Sequence, residues 1–374
     1  MNVTYANETS SNESLVDMRE ETYIDYSKRP ETYIVPVIFS VIFLTGIVGN
    51  GILVKIFYSH KSMRTIPNTF LLCLAVGDLL VMGGSVPFVS LIYTFDSWPF
   101  GEGICKMSEF LRDLSLCVTV FTLTILSIDR YLAISSPYRI MRENANRLQT
   151  NVVVIMIWIF SFLFASPSAY FAHILHIGAL RKHTIKICYP FPYDFDSTYP
   201  RIIVAIKFFL LYALPLMIIG SFYGLMAKSI LKTSNEVAAS STSTKQREKR
   251  INVAKMILML VLIFAICFLP NHVFLLWFYF TYPSSMQKYN LFWHVFKIAG
   301  YVLTFSNSCL NPIILYCISR KFRSYFQAYL FFWKEKIKRK GLKRQASIHS
   351  SSQDVRRHRI QSTRSTLTSE TTKV

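Results

Sequence analysis

Long apolar runs alternate with short polar segments along the 374 residues, and the runs recur seven times. They lie near 33–58, 67–95, 103–136, 149–172, 201–231, 251–280 and 290–317. Each meets the roughly 20 residues that a helix needs to cross the hydrocarbon core of a bilayer. No water is available there to satisfy the backbone, so a crossing segment must close its own hydrogen bonds, and the runs predict helices. The expected fold is an all-α membrane protein, a seven-transmembrane helix bundle over 33–318. Pro87, Pro167, Pro215, Pro270 and Pro312 fall inside the spans. Each predicts a kink, and kinked helices leave a cavity between them.

An odd number of spans puts the two termini on opposite sides. His60, Lys61 and Arg64 follow span 1, and Arg139, Arg142 and Arg147 follow span 3. Lys228, Lys232, Lys245, Arg247, Lys249 and Arg250 gather between spans 5 and 6. Basic loops stay in the cytoplasm, so the N-terminus is expected outside. Loop 173–200, with Arg181, Lys182 and Lys186, argues the other way but is outweighed by the three basic loops. Residues 1–32 are polar and acidic, with sequons at Asn2, Asn7 and Asn12, and are expected to form an extracellular glycosylated tail. They show no apolar stretch of the signal-peptide kind, which leaves span 1 as the insertion signal.

A hydrophobic content of 52% against 17% charged residues agrees with membrane residence. The net charge of +20 resides in loops and in the C-terminal tail, which is membrane topology and not a nucleic-acid-binding face. The loops carry no metal-ligand cluster, nucleophile constellation or glycine-rich phosphate loop, so an enzyme is disfavoured. A transporter would be expected to show inverted repeats, and the sequence shows none. Residues 319–333 place Phe322, Phe326, Tyr329, Leu330 and Trp333 at helical spacing beside Lys321, Arg323 and Lys334. They predict a short amphipathic cytoplasmic helix lying on membrane lipid. Residues 334–374 are basic and then rich in Ser and Thr, as in a disordered cytoplasmic tail.

Several short motifs fall in a recognisable order. Gly49-Asn50 lies in span 1, Leu74-Ala75 with Asp78 in span 2, and Asp129-Arg130-Tyr131 closes span 3. Trp158 follows in span 4, Pro215 with Tyr223 in span 5, Cys267-Phe268-Leu269-Pro270 in span 6 and Asn311-Pro312 in span 7. Together they resemble the rhodopsin-like (class A) G-protein-coupled receptors over residues 33–332. The stretches 29–36, 120–124, 187–190, 269–280 and 307–312 further resemble the bombesin-receptor branch and, within it, the arthropod CCHamide neuropeptide receptors.

That resemblance implies a plasma-membrane receptor for a short, secreted, disulfide-closed, amidated peptide. It implies activation of a heterotrimeric G protein of the Gq class, and a tail phosphorylated by receptor kinases to recruit arrestin. Another peptide or a lipid is the alternative ligand. A light receptor would need a lysine deep in span 7. Lys297 stands fifteen residues before Pro312, roughly 22 Å along a helix, and is too far out.

Individual residues acquire expected roles in this frame. Of seven cysteines, Cys105 and Cys188 are the two expected on the oxidising side, where a disulfide would pin the second outer loop over the cavity. Asp129, Arg130, Tyr131, Tyr223, Phe268, Pro270, Asn311, Pro312 and Tyr316 are expected in the G-protein switch. Three departures stand out. Many relatives place an acid at the inner end of span 6 to hold the switch arginine, but here that position is Arg250, and Glu248 is only a distant substitute. Phe268 stands where tryptophan is usual, and Asn311-Pro312-Ile313-Ile314-Leu315-Tyr316 is one residue longer than Asn-Pro-x-x-Tyr. The extra residue turns Tyr316 by about 100°.

By the same resemblance Asp78, Asn50, Thr119, Asn307, Ser308 and Asn311 form a polar cluster at mid-membrane. It is expected to hold an allosteric sodium ion or, equally, water alone; no other cofactor is expected. Arg112 stands where amine receptors carry an aspartate, which points away from monoamines. With Glu109, Lys207, Asn271, His272, Lys297 and Tyr301 it is expected to line a ligand cavity suited to carboxylates or peptide carbonyls. For Lys207 and Lys297 the alternative is an outer-end side chain reaching water.

Overall fold

The computed structural model describes residues 28–95, 97–135, 143–180, 183–192, 198–236 and 241–331. The sequons at Asn2, Asn7 and Asn12, and the Ser- and Thr-rich tail, lie outside the described residues.

Seven helices are long and apolar enough to span a membrane: α1 Glu31–Ser59, α2 Ile66–Phe95, α3 Gly101–Ser135, α4 Leu148–Phe171, α5 Thr198–Ile230, α6 Arg250–Phe280 and α7 Leu291–Ile318. Every end falls within three residues of the boundary expected from hydropathy. The helix carrying α4 starts at Glu143, and that carrying α6 at Ser241. Residues 319–330 form a separate unit, whose helix α8, Arg320–Leu330, is capped by the Ser319 hydroxyl accepting from the Phe322 backbone N–H. This is the amphipathic helix expected over 319–333, one turn shorter within the described residues.

The outside of the bundle is apolar. Val37, Val41 and Leu44 of α1, Ile155, Ile159, Phe162 and Leu163 of α4, and Met217 of α5 are all exposed. Such a surface suits lipid, not water. The buried polar residues instead face inward, Asn50, Asp78, Thr119, Asn307 and Asn311 among them.

Local sequence explains how the helices approach. A Cβ on Gly49 would sit 2.8 Å from both Cβ and Cγ of Pro312, so α1 meets the α7 kink only because position 49 has no side chain. Gly49→Ala is expected to push these helices apart and destabilise the folded protein by about 1–3 kcal/mol, the usual range for overpacking. A fall in the thermal unfolding temperature of detergent-solubilised protein checks this; an unchanged value contradicts it. In α5, Pro215 has no N–H to donate and its ring crowds the carbonyl a turn earlier. The chain winds a wider π turn, Phe209–Ala213, immediately before it. Near one end of the bundle, Trp277 of α6 stacks on Trp293 of α7 with ring centroids 3.7 Å apart.

One element was not foreseen. The segment between α4 and α5 forms an antiparallel hairpin, β1 His173–Leu180 with β2 His183–Tyr189, placing Ile174 opposite Cys188. The hairpin is tied to the α2–α3 connection, where the Trp98 N–H donates to the Lys186 carbonyl at 2.7 Å and the Lys186 N–H donates to Ser97 Oγ at 3.0 Å. Trp98 is buried with Cys105 and Ala172.

Candidate functional site

The hairpin contributes Ile187, Cys188 and Tyr189 to the wall of a cavity inside the bundle. The Cys105–Cys188 disulfide forms as expected, joining the start of α3 to β2. Cys73, Cys117, Cys267 and Cys309 are free and buried, and Cys317 is free and exposed. Behind the disulfide lies a cavity of about 560 Å³. Arg112 and Asp113 of α3, Lys207 of α5, Asn271 and His272 of α6, and Lys297 and Tyr301 of α7 line it. Six of the seven residues expected to line a ligand cavity therefore converge. The seventh, Glu109, is buried on the same helix and holds Arg112 in a two-point ion pair, with Arg112 Nη1 donating to Glu109 Oε1 at 2.8 Å.

Asp113 was missed. It is buried, and Lys207 Nζ donates to its Oδ2 at 2.6 Å, while the Ser168 hydroxyl of α4 donates to the same oxygen. Lys207 is thus no outer-end side chain reaching water. It ties α5 to α3 inside the cavity, two residues before the π turn. Asp113 could have been found from scarcity alone. Glu109, Arg112 and Asp113 put three charges within five residues of an apolar span, where each needs a partner.

Below the cavity, Phe268 lines the floor and packs on Phe264 at 4.8 Å between ring centroids; Phe264 in turn meets Tyr212. Phe268, where tryptophan is usual, thus makes an aromatic contact without an indole N–H. Deeper still lies the polar layer. Asn50 Nδ2 donates to the carbonyls of Gly46 at 3.0 Å and Ser308 at 2.8 Å, and Asn311 Nδ2 donates to Asp78 Oδ2 at 2.9 Å. Thr119 and Ser308 are buried too. Three buried oxygens, Asn50 Oδ1, Asp78 Oδ1 and Asn307 Oδ1, have no protein partner.

Arg130 lies eighteen residues beyond Arg112 on α3, about 27 Å along the helix. It pairs with its neighbour Asp129, Nε to Oδ2 at 3.0 Å. The absent acid is replaced by a contact of the opposite sense: Arg250 Nη1 of α6 donates to the Ala133 carbonyl of α3 at 2.9 Å. Glu248 is exposed. Tyr223 of α5 donates to the Ala254 carbonyl of α6 at 2.9 Å, and Tyr131 packs on Phe222. The lengthened motif of α7 buries Leu315 and leaves Tyr316 half-buried.

Residues 49–315 match the family described as 7 transmembrane receptor (rhodopsin family). The chain belongs to this family of rhodopsin-like seven-transmembrane receptors. Similar proteins include the neuropeptide CCHamide-1 receptor of Drosophila melanogaster, 41% identical over 331 residues, covering 87% of this chain and 66% of the fly protein. The [Phe13]-bombesin receptor of Bombina orientalis is 40% identical over 301 residues, covering 80% of this chain and 76% of its own. Bombesin receptor subtype-3 of Ovis aries is 39% identical over 297 residues, covering 78% and 73% respectively. Such receptors are not enzymes. In this receptor two groups of residues occupy opposite ends of α3: a charged cavity beneath a disulfide-held hairpin, and an arginine with helix-to-helix ties.

Proposed function

We propose that the chain is a plasma-membrane neuropeptide receptor, with its N-terminus and cavity outside, that binds a peptide of the CCHamide kind and activates a heterotrimeric G protein of the Gq class. The observation that carries this reading is the cavity. Arg112, the Lys207–Asp113 ion pair, the Asn271 amide and several phenol groups line a space of about 560 Å³ under a hairpin fixed by a disulfide. A hydrogen-bonding wall of this kind suits backbone carbonyls and amides. The disulfide supports the orientation, because it belongs on the oxidising side, and the basic loops belong on the other.

In this reading Asp129, Arg130 and Tyr131, with Tyr223, Phe268, Pro270, Asn311, Pro312 and Tyr316, carry the signal from the cavity to the G protein. The tail beyond residue 333, when phosphorylated by receptor kinases, recruits arrestin. A sodium ion in the Asp78 layer fits the residues present. The three unpartnered oxygens of Asn50, Asp78 and Asn307 offer an all-oxygen environment that a hard cation or ordered water would satisfy. Asp78, Thr119, Asn307, Ser308 and Asn311 would hold it, and its charge would favour the resting state.

Calcium release in cells expressing the receptor, read against synthetic amidated neuropeptides, tests the ligand and the coupling together. CCHamide-1 is expected to act at nanomolar dose, and a Gq inhibitor is expected to abolish the response. Silence towards CCHamide-type peptides with a nanomolar response to an unrelated ligand would overturn the assignment.

A further inference from the structure

The polar residues named in the cavity wall do not carry equal free charge. Arg112 is neutralised by Glu109, and Lys207 by Asp113, each through a direct ion pair. These four groups cancel. Tyr301 borders the Arg112 guanidinium, and His272 packs edge-on against Phe208 and beside Tyr212. One charged group in the lining remains: Lys297 of α7, half-buried, with no ion pair or hydrogen bond among the described residues. Among the described residues, two other charged groups of these helices are engaged. Glu31 accepts from His294 Nε2 at 3.1 Å, and the Arg201 side chain donates to the carbonyls of Tyr279 and Tyr282.

A cation that enters an apolar, partly closed space without a counter-ion is costly. Here the cost is offset when a bound ligand supplies the missing negative charge. We infer that Lys297 is the anchor for an acidic group of the ligand, and that the cavity selects a peptide bearing one carboxylate at the α7 wall. This rests on the peptide-receptor reading above and sharpens it. Arg112, the residue most conspicuous in the sequence, becomes a preset part of the wall held by Glu109, and the recognition charge moves to α7. The carboxylate comes either from an Asp or Glu side chain or from a free C-terminus.

The test uses full-length receptor at the surface of cells, with EC50 for calcium release as the readout and an N-terminal tag to match surface levels. The probes are CCHamide-1 and a panel of amidated neuropeptides. Each is also made with every Asp or Glu changed to its amide, and as the free C-terminal acid. For the peptide that activates, removing the relevant carboxylate is expected to raise EC50 about tenfold or more, the worth of one charge-assisted contact. Lys297→Gln should cost the same with the intact peptide and nothing further with the neutralised one, and Lys297→Arg should restore most of the potency. The side-chain and C-terminal versions separate the two sources of the carboxylate. The peptide arms need only wild-type receptor, so they decide the matter even if a variant fails to reach the surface.

Equal potency of acidic and neutralised peptides would overturn the inference, as would a Lys297→Gln loss of the same size with both. A potent activator free of carboxylates overturns it while leaving the peptide-receptor reading standing. Activation by an acidic, Lys297-coupled peptide other than CCHamide-1 supports it while removing the narrower ligand assignment. A panel without any activator removes both.

Discussion

Asp113→Ala is expected to cost the receptor most of its surface expression. The substitution deletes an acceptor that serves two helices at once. Lys207 of α5 loses its counter-ion and the Ser168 hydroxyl of α4 loses its acceptor, both inside the bundle. Removing one partner of a buried ion pair costs about 3–5 kcal/mol, because the charge left behind cannot return to water. That is a large part of the roughly 5–15 kcal/mol by which a protein's folded state is held. Removing both charges is a different matter, since an apolar pair of similar volume is often neutral or stabilising. Asp113→Leu combined with Lys207→Met is therefore expected to return to the surface at near wild-type level. Flow cytometry against an N-terminal tag and the unfolding temperature in detergent would decide it. Wild-type surface level and melting for Asp113→Ala would show that the pair is not a strut between α3, α4 and α5.

The same pair marks where reading from sequence stopped. The seven spans were legible because crossing a bilayer imposes a length and a polarity on each segment independently of the others. The Cys105–Cys188 bridge was legible because topology sorts cysteines by compartment. The cavity residues were legible in part: Arg112, Asn271, His272 and Tyr301 sit where the spans require. Asp113 and Lys207, by contrast, are 94 residues apart, and no local periodicity links them. Only the tertiary approach of α3 to α5 does, whereas Arg112 pairs locally, with Glu109 one turn earlier on the same helix. The hairpin of 173–189 escaped for a related reason. Its strands are held by each other and by Trp98 and Ser97 from a distant connection, so its own sequence carries only part of the signal. Gly49 is the reverse case: visible as a motif, it gained its physical reason only when Pro312 was found 2.8 Å from where a Cβ would stand.

Arg250→Ala is expected to raise signalling in the absence of ligand. In this structure the Arg130 end of the bundle is tied twice to α6. Tyr223 holds it to α5 through the Ala254 carbonyl, and Arg250 holds it to α3 through the Ala133 carbonyl. Ala133 lies in the last turn of α3, where backbone carbonyls lack helical partners and the helix carries its partial negative charge. A guanidinium suits that place, which explains how a basic residue serves at a position where an acid was expected. Movement of α6 away from α3 must break this bond. A hydrogen bond to a charged group is worth about 1.5–3 kcal/mol net, and water recovers part of that once the end opens. A shift of about tenfold in the ratio of active to resting receptor is then the expected result, equivalent to about 1.4 kcal/mol. Ligand-free inositol phosphate accumulation, compared at matched surface expression, reads it. Arg250→Glu provides the discriminating arm, because an acid at this position offers the switch arginine, here Arg130, a carboxylate partner on α6. It should keep basal signalling near the wild-type level, whereas Arg250→Ala should not. Equal basal signalling in wild type and Arg250→Ala would mean that the Arg250–Ala133 contact does not hold the receptor off, and that the restraint lies with Tyr223 or with the Asp129–Arg130 pair.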